Sequence, residues 1–212
     1  MKKTLWLFGD SFTQSLVDNK DEWATQYVEW KGYAPKVYGE ILADTFGFNL
    51  MNYGSGGIDN YSIFQNICNL SDKIFPNDVI IIGWTSVTRF RLVDKWNNWK
   101  RIIPKFDRNV RNLEDVSNTT LEEILINRTK ERYTEEVCSW IKLLNTTFSN
   151  NLIINWSALD RGVSKNYIAN LTTIRDESGG IIDDGHYGEV GHIQLANEFS
   201  GMINSNTSIR MI

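Results

Sequence analysis

Four short apolar runs constrain this chain more than anything else in it. Thr4–Phe8, Phe48–Tyr53, Val79–Ile82 and Leu152–Trp156 are rich in β-branched and aromatic residues and lack the alternation of a half-solvated strand. Runs of that kind are strands buried on both faces. The segments between them carry helical periodicity. Over Ala34–Phe46, residues Val37, Tyr38, Ile41, Leu42 and Thr45 share one face, and Gly47 is a natural stop. A longer helix is expected over Thr120–Phe148, with Ile124, Tyr133, Val137, Trp140, Ile141 and Leu144 on its apolar side. Thr119 with Glu122, or Thr120 with Glu123, offers it a capping box. A last helix is expected over Gly191–Ile203. Strands alternating with helices predict an α/β fold, a parallel sheet covered on both faces. At 212 residues the chain suits one domain spanning 1–212.

Two segments fall outside that plan, and both follow strand ends, where open α/β sheets bind ligands. Gln14–Tyr33 sets Trp23, Tyr27 and Trp30 among charges, and Phe90–Asn118 holds Trp96, Trp99, Arg101 and Arg108 in a polar setting. They are expected to be insertions near the active site, at about 14–33 and 90–118. Trp96 and Trp99 lie at i and i+3, a spacing that also serves to anchor an insertion.

The sharpest chemical signal is Gly9-Asp10-Ser11-Phe12, directly after the first strand. A serine there exposes its hydroxyl and has a backbone N–H at a turn, which suits a nucleophile attacking a carbonyl. A serine needs a base. The chain has only two histidines, His186 and His192, in the run Asp183-Asp184-Gly185-His186 and in Gly191-His192. His186 is the expected base, with Asp183 as the carboxylate that fixes its tautomer and Asp184 as a competing neighbour. His192 is expected to cap or pack the last helix. After the second strand, Asn52-Tyr53-Gly54-Ser55-Gly56-Gly57 allows close backbone approach, with N–H groups for an oxyanion. Its spacing is not a dinucleotide fingerprint.

These blocks, in this order, resemble the SGNH/GDSL hydrolase family. Gly9-Asp10-Ser11 is similar to its nucleophile block, Asn52–Gly57 to its second block, and Asp183–His186 to its final D-x-x-H block. The resemblance implies a flavodoxin-like α/β/α sandwich of about five strands and a serine esterase. It implies Ser11 as nucleophile, His186 as general base, Asp183 as orienting acid, and the N–H groups of Ser11 and Gly57 as oxyanion donors. One block departs from the pattern. Where the family has glycine, any residue, then asparagine, this chain has Gly83-Trp84-Thr85-Ser86. Thr85 is then the expected third donor, with Ser86 or Arg89 as substitutes. Arg89 has two other readings, a surface salt bridge or a cation for an anionic substrate group.

The aromatic residues among charges favour removal of a short acyl group, acetyl above all, from a carbohydrate. An inactive binding or structural protein on the same fold, and an acyltransferase using the same residues, are the rival readings. No metal or organic cofactor is expected. A net charge of −4 argues against a nucleic-acid partner. The first apolar run stops at Asp10, too short for a signal peptide, and no stretch is long enough to cross a membrane, so a soluble protein is expected. Cys68 and Cys138 match no metal-ligand spacing and read as buried free thiols. The abundance of asparagine, isoleucine and lysine hints at an AT-rich genome, bacterial or phage; a phage protein could be virion-associated.

Overall fold

The structure, a computed structural model, describes residues 2–87, 89–93, 99–102, 130–159 and 166–205. Four parallel strands form the main sheet in the order β2-β1-β3-β6: β1 (Thr4–Gly9), β2 (Asn49–Gly54), β3 (Val79–Gly83) and β6 (Leu152–Trp156). Each lies within a residue of its expected bounds. Among the described residues the sheet has one strand fewer than expected. In the fifth strand's place beside β6 stands a single parallel bridge, Ser157 to Tyr167. A separate antiparallel pair joins β4 (Phe90–Val93) to β5 (Trp99–Ile102), both within the second unusual segment. Trp96, Arg108 and the rest of 103–118 lie outside the described residues, as do the capping threonines Thr119 and Thr120.

Side-chain alternation along the strands builds two cores. Trp6, Phe8, Ile80, Ile82 and Ile153 face α3 (Asn60–Asn69) and α4 (Lys130–Thr147), meeting Ile63, Ile67, Val137, Ile141 and Leu144. Leu5, Leu7, Ile81, Ile154 and Trp156 face α2 (Tyr38–Phe46) and α6 (Glu189–Asn204), meeting Tyr38, Leu42, Leu195 and Phe199. The result is a three-layer α/β/α sandwich, as expected. At the amino end of the sheet, buried Asp78 accepts hydrogen bonds from Thr4 N, Trp6 Nε1 and Phe75 N.

Differences from expectation have local causes. Helix α2 starts at Tyr38 rather than Ala34. Pro35 disfavours helical backbone at Ala34, and Val37 is extended, its N–H donating to Glu40 Oε2. Helix α3 was not anticipated. Its signal is a single cap, Asp59, whose carboxylate accepts both the N–H and the hydroxyl of Ser62. Helix α1 (Glu22–Lys31) lies inside the first unusual segment and ends on Gly32 at φ 78°. A short helix, α5 (Ile174–Glu177), precedes the histidine loop. Cys68 is exposed on α3 rather than buried, because α3 buries Ile63 and Ile67 and turns Cys68 outward.

His192 packs rather than catalyses. It is buried in α6, and its Nδ1 accepts the Tyr38 N–H. Burial pushes its imidazole down to about 3, with the charge of nearby His186 adding to the effect. The folded pKa is depressed, so between pH 6.5 and about 3 the unfolded chain binds the extra proton. Stability therefore falls as pH falls through that window. The wild-type urea midpoint should drop more steeply from pH 6.5 to 4 than that of His192→Gln, which keeps an acceptor but does not titrate.

Candidate active site

The carboxyl ends of β1, β2 and β3 converge on one cluster of turns. After β1, the Asp10 carbonyl accepts the N–H groups of Thr13 and Gln14, curling the chain so that Ser11 sits at the bend. Asp10 Oδ1 accepts the Phe12 N–H, which stiffens that bend. At the end of β2, Asn52 accepts the Gly54 N–H and donates to the Thr13 carbonyl, joining the strand end to the Ser11 turn. Their contact is so close that a Cβ on Gly54 would stand 2.5 Å from Gln14 N. Gly57 adopts φ 67°, a left-handed conformation that favours glycine. After β3, the Asn60 side chain clamps Thr85, accepting its N–H and donating to its carbonyl.

Ser11 and His186 meet as expected: Nε2 lies 2.7 Å from Ser11 Oγ. The carboxylate on the other ring nitrogen is not the expected one. Asp184 Oδ1 lies 2.6 Å from His186 Nδ1 and also accepts the His186 backbone N–H at 2.8 Å. Asp183 points away, 80% exposed and paired with Arg175. The cause is the backbone. The carbonyls of Asp184 and His186 both accept from the start of α5, from Arg175 N and Ile174 N. The Asp184 carboxylate closes a tight turn on the His186 N–H, which brings these two side chains together. Burial alone would raise the Asp184 carboxyl, but its hydrogen bonds to the His186 ring and N–H prevail and hold it below the usual carboxylate range.

The oxyanion donors divide. The N–H groups of Ser11 and Gly57 have no hydrogen-bond partner among the described residues, while that of Gly56 is taken by Gln14 Oε1 at 2.7 Å. The Thr85 side chain is fully buried, and its hydroxyl has no hydrogen-bond partner among the described residues. An atom that water cannot touch cannot meet a substrate oxygen of similar size. Thr85→Val should therefore keep kcat within about twofold. It should also raise the thermal midpoint by roughly 2–4 °C, because an unsatisfied buried hydroxyl is removed at constant shape. Ser86 is partly exposed, and its carbonyl accepts the Arg89 N–H, so it opens the turn that carries Arg89. Arg89 reaches back beneath the nucleophile, with NH1 3.1 Å from Asp10 Oδ2, in a pair whose side chains are 17% and 6% exposed. That is a salt bridge, one of the readings the sequence leaves open for Arg89, but a largely buried one that ties Arg89 to the Ser11 turn.

Sequence reasoning placed Trp23 near the site without a role. Its ring stacks on His186 with centroids 4.0 Å apart and planes 5° from parallel. Phe12 flanks the same imidazole at 4.9 Å. Among the described residues, no group of three or more His, Cys, Asp or Glu could hold a metal ion, and no helix is long and apolar enough to cross a membrane.

No protein-family model matches the chain, and no curated protein matches it. Among solved structures it is similar to a member of the lipolytic G-D-S-L family from Veillonella parvula, at 16% identity and TM-score 0.46, over 95% of this chain and 98% of that one. It is also similar to an acetyl xylan esterase from the rumen bacterium Butyrivibrio proteoclasticus, at 13% identity and TM-score 0.49, over 96% and 64%. A third similar structure is a carbohydrate esterase whose active site displays divergent catalytic and non-catalytic binding functions, at 14% identity and TM-score 0.46, over 99% and 70%.

Proposed function

We propose that the protein is a serine ester hydrolase of the SGNH/GDSL type. The observation that carries this reading is the continuous chain from Ser11 Oγ through the His186 ring to Asp184, with hydrogen bonds of 2.7 and 2.6 Å. His186 Nε2 takes the Ser11 proton as Oγ attacks the ester carbonyl, then delivers it to the leaving alcohol. Water repeats the sequence on the acyl-enzyme. Asp184 keeps the Nδ1–H tautomer and balances the imidazolium. The Ser11 and Gly57 N–H groups receive the oxyanion. The chemistry asks for no cofactor.

A short acyl group on a carbohydrate is the substrate class we assign. It is supported by an aromatic side chain at the site itself: Trp23, whose ring lies 4.0 Å from that of His186, is only partly buried. A fluorophosphonate probe tests the reaction directly. It should label wild type and leave Ser11→Ala unlabelled; an unlabelled wild type would exclude the esterase reading and leave a binding protein. Turnover of acetylated sugars above that of octanoyl esters would support the substrate class, and the reverse order would overturn it.

A further inference from the structure

We infer that Trp23 is a positioning residue of the hydrolytic site: its indole face holds the plane of His186 and stabilises the imidazolium that forms as Ser11 is deprotonated. The inference rests on the proposed role of His186 and adds a residue from outside the recognised motifs.

The geometry is close to ideal for this purpose. Centroids 4.0 Å apart and planes 5° from parallel put the imidazole flat on the indole. Phe12 packs on the same imidazole at 4.9 Å and 34°. Both ring nitrogens are already committed in the ring plane, to Asp184 and Ser11. The hydrogen bonds restrain rotation within the plane, and the two aromatic rings restrain tilt out of it. An indole face carries negative quadrupolar charge, so it attracts the ring more strongly once the ring is positive. That difference arises during the reaction and not in the resting enzyme, which is the condition for lowering a barrier.

Helix α1 is built to hold this ring still. Tyr27, one turn beyond Trp23 on the same face, is fully buried. Its hydroxyl donates to Glu177 at 2.6 Å and accepts the Glu189 N–H at 2.7 Å. Lys31, a turn further on, bridges Glu177 and Glu189 at 3.2 and 2.8 Å. Glu177 ends α5 and Glu189 begins α6, the two elements that bracket the Asp184–His186 loop. The same two carboxylates therefore fix α1 against both ends of that loop.

Among the described residues, these charged groups belong to the elements packed around the imidazole. Asp184 lies on its own loop, with the Asp183–Arg175 pair turned outward. The Asp10–Arg89 pair belongs to the nucleophile turn. Helix α6 contributes the neutral His192. Helix α1 brings Asp21 and Glu22, both exposed. None of these changes in a Trp23 variant.

Trp23→Met keeps an apolar cover over His186 and removes the π face, so hydration changes little and the quadrupole is lost. With a short-acyl ester, kcat should fall about tenfold with KM within twofold. The acid limb of the kcat/KM profile should move to lower pH by about half to one pH unit. Trp23→Phe, with a smaller face, should restore most of both, and it supplies the comparison with wild type if the methionine variant does not fold. An unmoved acid limb, or a loss wholly in KM, would overturn the inference and make Trp23 a wall of the substrate site. An inactive wild type would instead strike at the esterase reading. In that case the inference falls with it, and the fluorophosphonate result identifies that cause.

Discussion

Ser11→Ala should lose at least about 10⁴-fold in kcat on a short p-nitrophenyl ester, with the fold unchanged by circular dichroism. Ser11 is the only hydroxyl bonded to His186 Nε2 among the described residues, and no water positioned by the same base can replace a covalent route at comparable rate. The variant should keep a measurable KM for turnover of whatever residual activity remains, because the Gly57 turn and the aromatic surroundings are untouched. Equal rates for wild type and Ser11→Ala on every short acyl ester would reject the nucleophile. The size of the loss also bears on Thr85. With that hydroxyl sealed away, the proposed mechanism leaves transition-state charge to two backbone N–H groups. A modest wild-type rate is the expected companion of a large Ser11 effect, since one absent donor is worth about 10²–10³ in rate.

The strand skeleton was legible in the sequence because burial on both faces leaves an uninterrupted apolar run, and β1, β3 and β6 have that pattern. Helix α1 was not legible. Its apolar stripe is narrow, and its stability comes from Tyr27 and Lys31 gripping Glu177 and Glu189, about 150 residues away in the chain. No local pattern announces a partner at that distance. Helix α3 was hidden for another reason: a short apolar face and one aspartate cap are common to many loops. At the site, residue types and spacing pointed to Ser11 and His186, whose side chains lie 2.7 Å apart, because a Gly-Asp-Ser after a strand and one of only two histidines stand out in the chain. Thr85 could not be placed from sequence. A strand end reads the same whether the next side chain faces substrate or is turned inward by a clamp such as Asn60.

The choice between two adjacent aspartates is the sharpest test of the local geometry. Asp184→Asn should lower kcat by about 10³–10⁴-fold, because an amide in place of the carboxylate allows the wrong imidazole tautomer and leaves the imidazolium without its counter-charge. Asp183→Asn should stay within about twofold of wild type. Its carboxylate is 80% exposed and paired with an exposed Arg175, and such a pair contributes about 0–1 kcal/mol to stability. The pH dependence separates the two further. The hydrogen bonds on Asp184 hold its carboxyl below the usual range, so it stays charged well into acid. The contribution of that charge to stability is present above the unfolded carboxyl's pKa and is lost only as pH falls through the lower folded value. Asp184 should therefore still be ionised beside His186 at pH values where a free carboxyl is already taking up its proton. A family-style spacing of three residues favours Asp183, and the loop decides against it: Asp184 closes a turn on both the His186 N–H and its ring, while Asp183 is turned outward to Arg175. Severe loss in Asp183→Asn with a mild Asp184→Asn would require that loop to be rebuilt so that the two aspartates exchange places.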